Sequence, residues 1–386
     1  MDIQKNLGFL LVLLGSLLVI HDILYHLGFV PGLGRETEIF GIRLHHAYIG
    51  IILMVLGFIV LKASFEVDFR NLDFLNRNVT RFSVFFLVVS LAFVTSISVY
   101  PSLPTISSPR DIKGCNITGV PDYNWGSFWD NFDKALSHLE TEFYLAHKLG
   151  LNLIEIYIPY HCFSDYNYGK LKTFMRMALR HRLWVIVTLN DDVYPDNVNY
   201  TYIEKHMKAI ITAIKNEPNL YAIGVMNEYN GRFGTNITFA KWCIQKIREL
   251  TEGRIKIIFD LAYFWHIPWQ IYRGLDVDIY SFSIYSLPPF HPYVPKMYKT
   301  LLETAEKYLG KPVFLGEFGW RTDGEKPEYN EEMQTQYYRE VLENINGHFG
   351  WSFWCLVDQK ELSEKWGVYT VNFRPKKVVD IIQQYT

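Results

Sequence analysis

Leu220-Tyr221-Ala222-Ile223-Gly224-Val225-Met226 runs without a break into Asn227-Glu228-Tyr229-Asn230. Further along, Pro312-Val313-Phe314-Leu315-Gly316 runs into Glu317-Phe318-Gly319-Trp320. Short unbroken apolar runs of this kind read as strands buried on both faces, as in a parallel sheet covered by helices. A carboxylate at the end of such a run sits where the sheet opens to solvent. Strand-end glutamate is common, so either run alone says little. The pair says more once the ordinal place of each strand is known.

Working outward from these two runs, short apolar stretches alternate with longer amphipathic ones. Strands are predicted at 113–118, 152–158, 183–190, 220–226, 254–260, 277–285, 312–317 and 349–355. Helices are predicted at 132–149, 170–182, 203–216, 239–250, 268–273, 297–309 and 331–346, with a closing one at 376–384. The first helix shows the helical period, with Phe132, Leu136, Leu139, Phe143 and Leu149 apolar and acids between them. Gly150, Gly253 and Gly310 follow helix ends as stop signals. Eight strand–helix units in residues 111–386 predict an α/β fold, a (β/α)8 TIM barrel. In such a barrel the site lies at the carboxyl ends of the strands, so Glu228 after strand four and Glu317 after strand seven face one crater.

Residues 1–100 read differently. Apolar runs at 7–30, 44–61 and 82–99 each approach the roughly 20 residues that cross a bilayer. A cleaved leader would give one short run, so three transmembrane helices forming an α-helical membrane anchor are expected. Lys5 precedes the first run, and Lys62, Arg70, Arg77 and Arg81 lie between the second and third. The positive-inside rule then puts the amino terminus and the second loop in the cytoplasm and everything after Val99 outside. This is the pattern of a multi-pass cell-membrane protein with an extracellular domain, its lipid partner the bilayer around the spans. His21, Asp22, His26, His45 and His46 fall toward the outer span ends and read as interfacial polar residues. Residues 101–110, rich in Pro and Ser, form an extended linker.

The bulk composition narrows the function classes. Of 386 residues 20% are charged and 16% aromatic, and the formal net charge is -2. No basic tract, phosphate loop or paired Cys-x-x-Cys motif is present, so nothing points to nucleic acid or to a cofactor. Cys115, Cys162, Cys243 and Cys355 are scattered singly, without metal-ligand spacing, and read as buried thiols. Only Cys115 and Cys355, on neighbouring first and last strands, are placed for a disulfide.

The second half resembles glycoside hydrolase clan A, the retaining β-glycosidases built on this barrel, and most nearly the family 5 cellulase and mannanase type. The resemblance rests on Asn227-Glu228 at the end of strand four and Glu317 at the end of strand seven. It extends to Tyr285 on strand six, Trp354 in Trp351-Ser352-Phe353-Trp354, and the closing Trp366-Gly367-Val368-Tyr369 followed by Arg374-Pro375-Lys376. It covers residues 113–382 and none of the membrane part. Glu155 stands where family 5 usually carries Arg, and Asn190 where it usually carries His.

The resemblance implies a carbohydrate substrate, double displacement at an O-glycosidic bond and no cofactor or metal. Glu317 would be the nucleophile, Glu228 the acid and then the base, with the two carboxyls about 5–5.5 Å apart. A raised pKa on Glu228 would come from the charge of Glu317. Asn227 would bind the sugar 2-hydroxyl, Tyr285 would orient Glu317, and Trp354 would lie under the sugar. Asn190, Asp191 and Asp260 end strands three and five and are candidate hydroxyl binders. Trp320 belongs to a set of crater-side aromatics with Trp125, Trp129, Tyr160, Tyr194 and Trp265. A transglycosylase would use the same residues, and a silent carbohydrate-binding barrel would have no use for the paired glutamates. Asn116, Asn199 and Asn236 begin Asn-x-Thr acceptors, the first on a strand and therefore shielded.

Overall fold

The computed structural model describes residues 3–26, 37–39, 42–44, 50–57, 59–60, 102–163, 167–262, 269–285 and 293–386. The chain divides into two compact units, Met1–Val99 and Tyr100–Thr386.

In the second unit eight parallel strands close into a barrel. They are β1 Lys113–Ile117, β2 Leu153–Tyr157, β3 Trp184–Thr188 and β4 Leu220–Gly224. β5 Lys256–Ala262, β6 Ile279–Ser283, β7 Val313–Glu317 and β8 Trp351–Phe353 complete it. Closure is made by β8 on β1, with Trp351 opposite Lys113 and Phe353 opposite Cys115. The covering helices are α1 Phe132–Lys148, α2 Gly169–Arg180, α3 Tyr200–Ile214, α4 Thr238–Thr251, α5 Tyr293–Leu309, α6 Glu331–Ile345 and α7 Val379–Tyr385. Helix α1 buries Ala135, Leu139, Phe143 and Ala146, one stripe at helical spacing. Gly150 and Gly253 leave their helices at φ +80 and +68, a region glycine enters without a Cβ clash.

All eight predicted strands are present, and the differences lie at the edges. The ladder of β3 stops at Thr188 and that of β6 at Ser283. The helix predicted at 268–273 is one 3-10 turn, Trp269–Tyr272. The closing helix starts at Val379, since Lys376 before it is tied to Asp358 at 2.9 Å and to Thr322 at 2.7 Å. All four cysteines are free and buried, so Cys115 and Cys355 are not bridged. Asn116 is fully buried, as its strand position required.

The barrel interior has two levels, set by the two-residue period of a strand. Leu153, Ile186, Ala222, Ile258, Ile279 and Phe314 form an apolar cluster toward the strand starts. Two residues along each of those strands stand Glu155, Thr188, Gly224, Asp260, Ser281 and Gly316. The two glycines make room for this polar level. A Cβ on Gly224 would run into Thr188 Oγ1, and one on Gly316 into Ser281 Oγ.

The linker departs from expectation. Instead of standing free, it is strapped to the barrel. The Ser102 carbonyl accepts from Arg182 Nε at 2.9 Å and the Pro104 carbonyl from Trp184 Nε1 at 2.8 Å. Ile106 packs against the apolar cluster at the strand starts. Ser108 and Asp111 then make a capping box around one 3-10 turn.

In the first unit a 24-residue helix, Ile3–His26, carries the first apolar run. Residues 50–57 and 59–60 are also helical, within the second run. The third run lies outside the described residues, as do the side chains of His21, Asp22, His26, His45 and His46. Among the described residues no helix is long and apolar enough to cross a membrane, so the three expected spans are not found there.

Candidate active site

Glu317 closes β7 and is almost fully buried. Both its oxygens are engaged by phenols. Tyr157 donates to Oε1 at 2.6 Å and Tyr285 donates to Oε2 at 2.7 Å. Burial pushes this carboxyl well above the usual range, Glu228 and Asp260 push it the same way, and the two phenols oppose them. The role expected of Tyr285 as the residue that orients Glu317 matches its position.

Glu228 lies four residues past β4, in a left-handed backbone conformation at φ 46, ψ 50 that only a surrounding scaffold sustains in a non-glycine residue. The scaffold is visible on both sides. Its own N–H donates to Asp260 Oδ2 at 2.9 Å. Asn230, two residues on, clamps the Ala262 backbone, donating to its carbonyl and accepting from its N–H, each at 2.7 Å. β5 therefore fixes where the β4 glutamate points. The Glu228 carboxyl is raised to about 7, by burial first and Asp260 second, with Arg232 opposing and Asp191 adding. The repulsion expected between Glu228 and Glu317 is present, raising the Glu317 carboxyl, and Asp260, itself lifted to about 6 by burial, adds to the shift on Glu228.

The remaining expected residues sort by position. Asn227 is half-buried beside Glu228, and its Oδ1 is buried without a partner. Trp354 is half-buried with its ring 5.9 Å from that of Tyr157, on the Glu317 side of the crater. Asn190 turns the other way. Its Nδ2 donates to the Val225 carbonyl at 3.1 Å and approaches Met207 and Cys243 on α3 and α4, so the hydroxyl-binding role expected of it is not supported. Trp320 is also core. It is 2% exposed, donates to the Glu328 carbonyl at 2.9 Å and packs on Tyr337, so it offers no face to a substrate. Trp129 is likewise buried, stacked on Phe132. Trp265 lies outside the described residues, as does the side chain of Trp125. Asp191 is paired with Arg232 at 2.8 Å, and the Arg232 guanidinium lies over the exposed Tyr194 ring.

Three residues at the site were not expected there. Tyr157 is the last residue of β2, on the same strand face as Glu155, and that parity was the available signal. Trp366 packs edge-on to Tyr285 with centroids 5.4 Å apart, and only its place in the closing motif hinted at it. Arg232, from the short helix Tyr229–Phe233, has no motif. Glu155 sits below, accepting from Thr188 Oγ1 at 2.5 Å, and burial lifts it to about 8, so it is neutral at pH 7. Among the described residues no His/Cys/Asp/Glu group is arranged to hold a metal ion.

No protein-family model matches the sequence, and no curated protein does. Solved structures do match. An exo-beta-1,4-mannosidase from Opitutaceae bacterium strain TAV5 superposes with a TM-score of 0.57 at 15% identity, over 75% of this chain and 61% of that one. GH5_18 from Streptomyces cattleya, in complex with Manb1-4GlcNAc, gives 0.56 at 13% identity, over 70% and 80%. A GH2 beta-galacturonidase from Eisenbergiella tayi gives 0.53 at 17%, over 71% and 50%. This chain has their fold. It spans less than two thirds of the mannosidase.

Proposed function

We propose that this chain is a retaining β-glycosidase that hydrolyses an oligo- or polysaccharide outside the cell, held at the membrane by residues 1–100. One observation carries the catalytic reading: a buried Glu317 held at both oxygens by phenols, close enough to Glu228 to be raised by its charge, while the Glu228 carboxyl is itself raised to about 7. The phenols hold the first group in place and favour its carboxylate against burial and the neighbouring acids, and the second is raised to where it can hold a proton near neutral pH and release it.

The steps follow from those states. A Glu317 oxygen attacks the anomeric carbon, and the bond to the leaving oxygen breaks as that oxygen takes the Glu228 proton. Glu228, now a carboxylate, removes a proton from water, which displaces Glu317 with a second inversion. The partnerless Oδ1 of Asn227 accepts from the sugar 2-hydroxyl, a contact that strengthens as charge grows on the ring. Trp354 and Trp366, half-buried on the Glu317 side, offer flat faces for sugar C–H groups. One structural neighbour is an exo-beta-1,4-mannosidase and another is in complex with Manb1-4GlcNAc, which makes β-mannosides the first substrates to screen.

The membrane reading rests on the apolar runs of the sequence, and two features of the first unit are consistent with it. Leu7, Phe9, Leu10, Leu13, Leu14 and Leu17 are exposed along one helix, an arrangement that water disfavours and lipid accepts. That helix meets the 50–57 stretch through glycines. A Cβ on Gly15 would strike the Gly50 carbonyl, and one on Gly57 the Gly8 carbonyl, the close small-residue approach favoured between helices in lipid.

Azide separates the two carboxyl roles. With an aryl β-glycoside and added azide, Glu228→Ala should release a β-glycosyl azide, because azide attacks the glycosyl-enzyme. Glu317→Ala should release the α-glycosyl azide, because azide attacks the substrate itself. The same anomer from both variants, read by NMR, would sink the retaining assignment.

A further inference from the structure

The nucleophile's second donor, Tyr157, is the end of a buried chain that leads away from the crater. Ser352 Oγ donates to Asn116 Oδ1 at 2.8 Å, and Asn116 Nδ2 donates to Tyr157 Oη at 2.7 Å. Tyr157 then donates to Glu317 Oε1 at 2.6 Å. Ser352 and Asn116 are fully buried and Tyr157 is 3% exposed, so water does not compete for these bonds. The direction of the chain is fixed by chemistry. An amide nitrogen only donates, so the Tyr157 oxygen must accept from Asn116, and its single proton is left to point at Glu317. Tyr285 has no such backing among the described residues and holds the other oxygen.

Resting on the glycosidase reading, we infer that Ser352, Asn116 and Tyr157 form a positioning relay that locks a neutral donor onto Glu317 and thereby favours the ionised nucleophile in a site that otherwise opposes its charge. The opposing groups come from several elements. Glu228 follows β4 and Asp260 lies on β5, and both raise the Glu317 carboxyl. Tyr285 beyond β6 works with Tyr157. Burial of Tyr157 keeps the phenol itself protonated, and the charge of Glu317 acts in the same direction. Both donors to Glu317 are neutral phenols, and a neutral donor favours the carboxylate without the larger pull of a cation. The nucleophile is thus left with a higher pKa than a guanidinium partner would give it, and the acidic side of the activity profile depends on the relay.

The test uses the full chain in detergent. Tyr157→Phe keeps the ring and removes the donor. The acidic limb of kcat/KM on an aryl β-glycoside should move to higher pH by about one unit or more, with a loss of roughly 10- to 100-fold below it. Ser352→Ala should shift the limb in the same direction by less. In parallel, 13C NMR of labelled glutamate carboxyls, assigned with Glu317→Gln, should show the Glu317 titration moved upward in Tyr157→Phe whether or not any glycoside is turned over. That measurement separates failure of the relay from failure of the glycosidase reading. A Tyr157→Phe variant that loses thermal stability but leaves both the limb and the Glu317 titration unmoved would overturn the relay.

Discussion

Glu155 shows how a single buried group couples this barrel to pH. Its carboxyl is lifted from 4.5 to about 8, mainly by burial, with Thr188 opposing and Asp260 and Asp191 adding. The folded chain therefore holds a proton that the unfolded chain releases near 4.5. That contribution to stability is complete below the unfolded value and is lost as pH rises through about 8, at up to about 1.4 kcal/mol per pH unit. Glu155→Gln keeps the shape and removes the titration. Unfolding by denaturant at pH 5 and pH 8 should show the variant gaining on the wild type as pH rises. An equal difference at both values would mean that the folded Glu155 is already ionised at pH 5. At this scale Glu228, Glu317 and Tyr285 are legible in the sequence because each ends or closely follows a strand beside a recognisable motif. Asn190 and Trp320 mislead because a place just past a strand does not say which way the side chain turns, and both turn into the core.

At the scale of elements, the segment before β1 matters more than its composition implies. Proline and serine there predict an extended chain, and the chain is extended, but its carbonyls are spent on Arg182 and Trp184. Ile106 covers the apolar end of the barrel beside Ile112 and Leu153. Two hydrogen bonds and part of an apolar side chain correspond to roughly 1–3 kcal/mol. A fragment starting at Ser102 should therefore unfold at a higher denaturant midpoint than one starting at Ser108, with both retaining the barrel's circular dichroism. Equal midpoints would show that the strap contributes nothing. The strand and helix elements were legible because their periods are local properties. The strap was not, since its partners lie 80 residues away in sequence.

At the scale of the whole molecule, the proposed topology rests on the charge bias between the apolar runs of the sequence. Our reading puts residue 70 in the cytoplasm and the barrel outside. The four native cysteines are buried, so a membrane-impermeant thiol reagent has little background on the folded barrel. Introduced into whole cells, Asp196→Cys on the exposed segment before α3 should label, and Arg70→Cys should label only after permeabilisation. Labelling of position 70 on intact cells would reverse the topology.

The sequence by itself determined that a parallel barrel follows an apolar amino-terminal segment, and that two glutamates stand at its fourth and seventh strands. Those features are written in period, run length and order, which no distant contact needs to supply. Tertiary structure alone decided what surrounds the glutamates. Closure of β8 on β1 brings Ser352 to Asn116, 236 residues apart, and the β2 position of Tyr157 meets β7 only across the barrel. The shift on Glu228 likewise depends on its burial and then on the charge of Asp260, 32 residues away and held to the Glu228 backbone by a hydrogen bond. Burial and charge proximity are sums over neighbours, and in a closed barrel the neighbours of a strand end are set by the ring rather than by the chain.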